Sequence, residues 1–127
     1  MAPIRIKICK KEGTLSLEYS NGDHFILTGE YLRVHSPSAE VRGHGEGQKI
    51  LQHGKELIKI CNAEPAGNYA LKLTFSDSHD SGIYTWGYLY DLASNHAKYW
   101  QVYLAALHDA GKGREPNVRI VQLMQPK

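Results

Sequence analysis

The sequence predicts an α+β fold in a single domain, a mostly antiparallel β-sheet with a short helix after the third strand and a longer C-terminal helix. Three observations carry this. Apolar residues alternate through the first part of the chain, SNGD at residues 20–23 is a hairpin signal, and residues 94–111 place apolar side chains at helical spacing.

The elements follow in order. IRIKICK puts Ile4, Ile6 and Ile8 on one face of a strand, and TLSLEYS does the same for Leu15, Leu17 and Tyr19, with Gly13 in the turn between them. Asn21 and Gly22 both tolerate positive φ, which predicts a two-residue hairpin into HFILT. Thr28 is placed to cap a short helix, GEYLRVHS, which Pro37 ends because the residue before proline avoids helical geometry. Residues 36–55 then form a long glycine-rich loop. LIKIC reads as a strand, EPAGN as a turn, and NYALKLTF as a strand burying Tyr69, Leu71, Leu73 and Phe75. After the turn SDSHDSG, IYTW is a strand. Ala97, Trp100, Leu104 and Leu107 define the long helix, with Ser94 as its cap and Gly111 as its stop. Residues 1–112 are read as the domain and 113–127 as a tail, in which VRIVQLM is an edge strand or a mobile end.

A chain of 127 residues can bury a core of its own without staples. Fifteen basic and thirteen acidic residues leave a formal charge of +2, too weak and too scattered to single out nucleic acid or an anionic membrane as partner. MAPIRIKICKKEG is charged and alternating, unlike a signal peptide, and no apolar run has the length of a membrane span, so a cytoplasmic setting is expected. Cys9 and Cys61 each lie in an apolar run and read as buried, reduced thiols. Oligomeric state is not legible.

The motifs with chemical content are few. RGHGEGQ is glycine-rich but matches neither a Walker loop nor a dinucleotide loop. His44 and Glu46 form H-x-E, half of a face that holds ferrous iron, with His79, His96 or His108 available as the remaining ligand. Asp77, His79 and Asp80 sit in one turn, where a carboxylate can orient an imidazole, but no G-x-S-x-G elbow supplies a nucleophile. Tyr84, Trp86, Tyr88 and Tyr90 would share one face of an extended strand, a platform for docking a peptide.

YLRVHSPSAEVRGHGEGQ followed by EPAGNYALKLTFSDSHDSGIYTWGYLYDL resembles the gamma-butyrobetaine hydroxylase-like N-terminal domain, in its small stand-alone bacterial form, over about Leu15 to Leu92. In the hydroxylases of carnitine synthesis that domain precedes an iron and 2-oxoglutarate oxygenase domain and holds a structural zinc through three cysteines and one histidine. The resemblance assigns the cysteine positions to Ser36, Ser38 and Val41 and the histidine position to His79. Hydroxyls and a hydrocarbon cannot replace thiolates on zinc, so no metal is expected at Ser36, Ser38 and Val41, although His79 is retained. His79 is expected to hydrogen-bond the serine segment instead.

The resemblance also implies an accessory role, because the same domain is found joined to ATPases of iron–sulfur cluster assembly. These readings lead to a noncatalytic binding or adaptor domain without cofactor, serving an iron–sulfur assembly ATPase or an oxygenase. Loop residues Arg33, His35, Arg42, His44, Gln48, His79 and Tyr84 are its expected partner surface. The alternatives are a small iron protein using His44, Glu46 and His79, and a peptide-docking domain with an aromatic face.

Overall fold

The computed structural model describes residues 1–43 and 49–116. Strands β1 (Arg5–Cys9), β2 (Thr14–Glu18) and β3 (His24–Leu27) form one antiparallel sheet in the order β1-β2-β3, with Ile6 opposite Leu17 and Leu15 opposite Leu27. A helix, α1 (Gly29–Val34), and a single turn, α2 (Ala39–Arg42), follow. Strands β4 (Ile60–Ala66), β5 (Ala70–Phe75) and β6 (Gly82–Thr85) make a second antiparallel sheet, and helices α3 (Trp86–Ser94) and α4 (His96–Ala110) complete the described fold. The α+β class therefore holds, with the strands divided between two three-stranded meanders. Leu15, Leu17, Tyr31, Leu32, Phe75 and Leu89 belong to one buried cluster, so both sheets, α1 and α3 share a core.

Local chemistry explains most boundaries. The Thr28 side chain accepts from the Tyr31 N–H at 3.1 Å, which fixes the start of α1. The hairpin at 20–23 has three loop residues, not two. Tyr19 N–H donates to Asp23 O and Gly22 N–H to Tyr19 O, and in this turn only Gly22, at φ 93°, takes positive φ.

Five expectations are corrected. Glu64 to Ala66 continue β4, because Pro65 needs no ladder N–H on an edge strand, and the turn starts at Gly67. Tyr69 lies in that turn and is exposed. The strand read as IYTW ends at Thr85, whose side chain accepts from Tyr88 N–H and starts α3, so Trp86, Tyr88 and Tyr90 are helical and share no extended face with Tyr84. Ser94 is then the last residue of α3, not the cap of α4. Cys9 and Cys61 are exposed; Cys9 follows Ile8 and so points to the opposite face of β1.

Gly113 and Arg114 bond to the rest of the chain. Gly113 O and Arg114 O accept from the N–H groups of Gly54 and Glu56, both at 2.9 Å. Arg114 forms a two-pronged ion pair with the buried Glu30, at 2.9 and 2.8 Å, and its guanidinium lies 5.2 Å from the Trp100 ring centre. Residues 113 and 114 are therefore packed on the domain, while the expected element at 118–124 lies outside the described residues. No helix of the described residues is long and apolar enough to cross a membrane.

Close packing at α1 sets a measurable limit. A Cβ on Gly29 would sit 2.5 Å from Ile58 O and 2.9 Å from Lys59 Cα, both backbone atoms, whereas one on Gly87 in α3 would meet nothing within 4 Å. Gly29→Ala should cost ~1–3 kcal/mol in urea unfolding, and Gly87→Ala should be neutral or raise stability by up to ~1 kcal/mol. Equal stability of Gly29→Ala and the parent would contradict this packing.

Candidate functional site

Two places gather chemically distinctive side chains: a sealed histidine cluster and an open groove. The cluster forms where the segment after α1 meets the turn between β5 and β6. Pro37 stops α1, and residues 36–38 pass directly beneath that turn. Ser36 Oγ is 2.8 Å from His79 Nε2, Ser38 Oγ is 3.4 Å from the same nitrogen, and His79 Nδ1 is 3.0 Å from Glu40 Oε1. Three of the four positions that the resemblance assigns to metal ligands, Ser36, Ser38 and His79, thus converge; Val41 is buried.

Burial lowers the pKa of His79, Arg33 lowers it further, and Glu40 and Asp77 act in the opposite direction. The neutral ring then donates through Nδ1 to Glu40 and accepts the Ser36 hydroxyl at Nε2. Ser, His and Glu stand in the order of a hydrolase relay, but Ser36 is 1% exposed, so its hydroxyl is closed to substrate. Zinc does not fit either. The donors are two hydroxyls and one imidazole, with both ring nitrogens already hydrogen-bonded.

A charged knot flanks the cluster. Arg33 Nε donates to Asp77 Oδ2 at 2.9 Å and its Nη1 to Gln52 Oε1 at 3.0 Å, while Lys55 Nζ reaches the same Asp77 oxygen at 3.0 Å. Partial burial alone would raise the Asp77 pKa; hydrogen bonds from Lys55, the His79 N–H and Arg33 outweigh it and hold the carboxyl below its usual range.

The groove lies between α4, the end of α1 and residues 49–52, with a volume of about 560 Å³. Tyr88, Tyr99, Tyr103, Val102, Val34 and Leu51 form its aromatic and aliphatic wall. Each tyrosine hydroxyl is committed elsewhere: Tyr88 to His35 O at 2.6 Å, Tyr103 to Gln52 O at 2.8 Å, and Tyr99 to both Asp91 oxygens at 3.0 and 2.9 Å. The rings are therefore fixed. His35 Nδ1 is 2.8 Å from Tyr31 O, so this nitrogen carries the proton and Nε2 is an acceptor. Burial lowers the His35 pKa, opposed by that hydrogen bond and reinforced by Lys49 and His96. Burial likewise pushes the Tyr103 hydroxyl up to about 12.

The predicted site residues divide between these places. Arg33, His79 and Tyr84 are interior rather than part of an exposed partner surface; Tyr84 is fully buried and donates to Leu32 O at 2.5 Å. His35 lines the groove, and the Arg42 guanidinium lies 5.5 Å from the Tyr88 ring centre. His44, Glu46 and Gln48 lie outside the described residues. Sequence reasoning missed Glu40, because an exposed glutamate on a one-turn helix has no motif. It also missed Asp91 and Lys98; Tyr99 and Tyr103 stood out only as members of the aromatic-rich stretch from 84 to 103, although Lys98 with Val102 and Tyr99 with Tyr103 show the four-residue spacing of one helix face. Among the described residues no three His, Cys, Asp or Glu side chains are grouped to hold a metal ion.

Two antiparallel meanders around a buried helix, with a hydroxyl–imidazole knot at the joint, define a small α+β domain. The chain belongs to the gamma-butyrobetaine hydroxylase-like N-terminal domain family, whose family model matches residues 6–90. It is similar to two proteins solved in solution by NMR. One is 50% identical, with 98% of each chain covered and a TM-score of 0.80. The other is 44% identical, with 94% of this chain and 89% of that chain covered and a TM-score of 0.76. A protein of unknown function of the DUF971 family from Acidithiobacillus ferrooxidans ATCC 23270 is 31% identical over 71% of this chain and 90% of its own, with a TM-score of 0.54. Comparison with curated proteins finds no match. The nearly full-length similarity to the first relative takes in α4, beyond the stretch that carried the resemblance.

The depressed pKa values of His35, His79 and His96 have one sign of consequence. Below the ordinary value of 6.5 the unfolded chain takes up protons that the folded chain refuses, so stability is full above that pH and is lost as pH falls below it. Urea unfolding should show stability declining from pH 7 to 5, with a shallower slope in His79→Gln. A flat profile over that range would contradict imidazoles held neutral by partial or full burial.

Proposed function

We propose that this chain is a noncatalytic binding domain that acts as an adaptor, docking a protein partner at the α4 groove. The supporting observation is the groove itself: an apolar cavity of about 560 Å³ whose tyrosine rings are locked by hydrogen bonds to other parts of the chain. A surface fixed before binding loses little conformational freedom on binding. The Ser36–His79–Glu40 cluster supports the noncatalytic reading, because its hydroxyl is sealed and its polar groups are already paired. The exposed thiols of Cys9 and Cys61 suit a reducing compartment such as the cytoplasm. The partner classes implied by the family resemblance, iron–sulfur assembly ATPases and oxygenases, are the first to test.

Val102 lines the groove and is 62% exposed, so Val102→Asp alters the surface without touching the core. In titrations against purified candidates from the same cell, Val102→Asp should weaken capture at least about tenfold, roughly the effect of losing one interface anchor. Ile26→Asp, on the outer face of the first sheet and 63% exposed, should leave capture intact. Capture insensitive to Val102→Asp would sink the reading.

A further inference from the structure

We infer that the groove recognises the free carboxyl end of a partner chain whose last residue is large and apolar. This inference rests on the groove being the docking site and adds the chemistry of what enters it.

The size of the cavity limits the occupant. About 560 Å³ falls within the range of ~300–1,000 Å³ that encloses a compact ligand, so a few terminal residues fit. The aromatic and aliphatic wall calls for an apolar side chain.

The charges limit it further. Lys49 and Lys98 line the same cavity, and neither has an ion-pair partner among the described residues. The acid in the lining, Asp91, accepts from the Tyr99 hydroxyl at both oxygens and from Asn95 Nδ2 at 2.9 Å, all neutral donors, and so keeps its charge. Two lysines against this one carboxylate leave the described lining with a net positive charge. Ammonium groups beside an apolar wall match a carboxylate attached to an apolar body.

His35 adds a third requirement. Its Nδ1–H is engaged by Tyr31 O, and Nε2, the acceptor, has no hydrogen-bond partner among the described residues. A peptide terminus offers all three complements within one residue: a carboxylate, an apolar side chain and a backbone N–H.

The test uses the full chain and paired synthetic peptides, Gly-Ser-Gly-Ala followed by Leu, Met, Phe or Trp, each as free acid and as carboxamide. Two-dimensional NMR follows the Val102 methyls, the Tyr99 and Tyr103 rings and the His35 imidazole nitrogens. Free acids should move these signals and bind about tenfold more tightly than their carboxamides, with the difference shrinking in added salt. The double variant Lys49→Gln with Lys98→Gln should lower affinity for the acids to that for the carboxamides and leave the carboxamides unchanged. Equal binding of acid and carboxamide overturns the inference while leaving groove docking intact. Binding of 4-phenylbutyrate as tight as the best peptide also overturns it, in favour of a small apolar acid. If no peptide moves the groove signals, the inference fails, and the titrations with whole partners decide separately on the adaptor reading.

Discussion

The structure depends on satisfying the backbone of a helix that is buried along its whole length. All six residues of α1, Gly29 to Val34, are buried. A helix end leaves its last carbonyls without partners, and burial denies them water. Here the partners are tyrosines from a distant part of the chain together with groups of the residues that follow the helix. Tyr84 donates to Leu32 O, the His35 ring to Tyr31 O, Tyr88 to His35 O just past the helix, and Ser36 N–H to Arg33 O. At the other end Thr28 accepts from Tyr31 N–H, and the buried carboxylate of Glu30 is answered by Arg114. Each bond contributes only about 1 kcal/mol net, but leaving any of these groups unpaired costs ~1–3 kcal/mol.

The same bonds that complete α1 shape the groove. Tyr88 is a wall of the cavity because its hydroxyl is tied to His35 O, and His35 presents Nε2 because its other nitrogen faces Tyr31 O. Tyr103 holds residues 49–52 against α4 through Gln52 O, and Gln52 in turn reaches Arg33 beside the histidine cluster. The groove and the cluster are therefore linked through Arg33 and Gln52. A change in α1 is transmitted to both through a short chain of hydrogen bonds.

The parity of the core strand residues and the caps at Thr28 and Gly111 were legible in the sequence, since both are local. Leu15, Leu17, Leu71, Leu73 and Phe75 are buried as their alternation requires, Thr28 caps α1, and α4 stops at Gly111. The first turn of α3 was not legible, because Tyr84, Trp86, Tyr88 and Tyr90 alternate like a strand. What decided the matter was Thr85, an N-cap residue hidden inside the aromatic run. The site was less legible than the fold. Resemblance placed Ser36, Ser38 and His79 together, but nothing local pairs Glu40 with His79 or closes Tyr103 onto Gln52, contacts that span 39 and 51 residues of chain. Tyr84 and Arg33 looked like surface residues because aromatic and charged side chains in loops often are. Burial with complete hydrogen bonding is the other stable arrangement for them, and tertiary packing chooses between the two.

The joint between the segment after α1 and the β5–β6 turn is held by hydroxyls and an imidazole, a kind of knot that makes its own demands on the packing around it. A metal knot holds its loops by ligand bonds and tolerates loose surroundings, whereas a hydroxyl–imidazole cluster keeps its geometry only where water is excluded and neighbours fix the rotamers. The surroundings of Ser36 meet that condition: its hydroxyl lies between His79 and Gly82, where an added Cβ would stand 2.5 Å from Ser36 Oγ. Glycine at that position is thus part of the knot, since any larger residue would push the serine off the imidazole. On the groove side, among the described residues, His35 Nε2 has no hydrogen-bond partner and Lys49 and Lys98 have no ion pair.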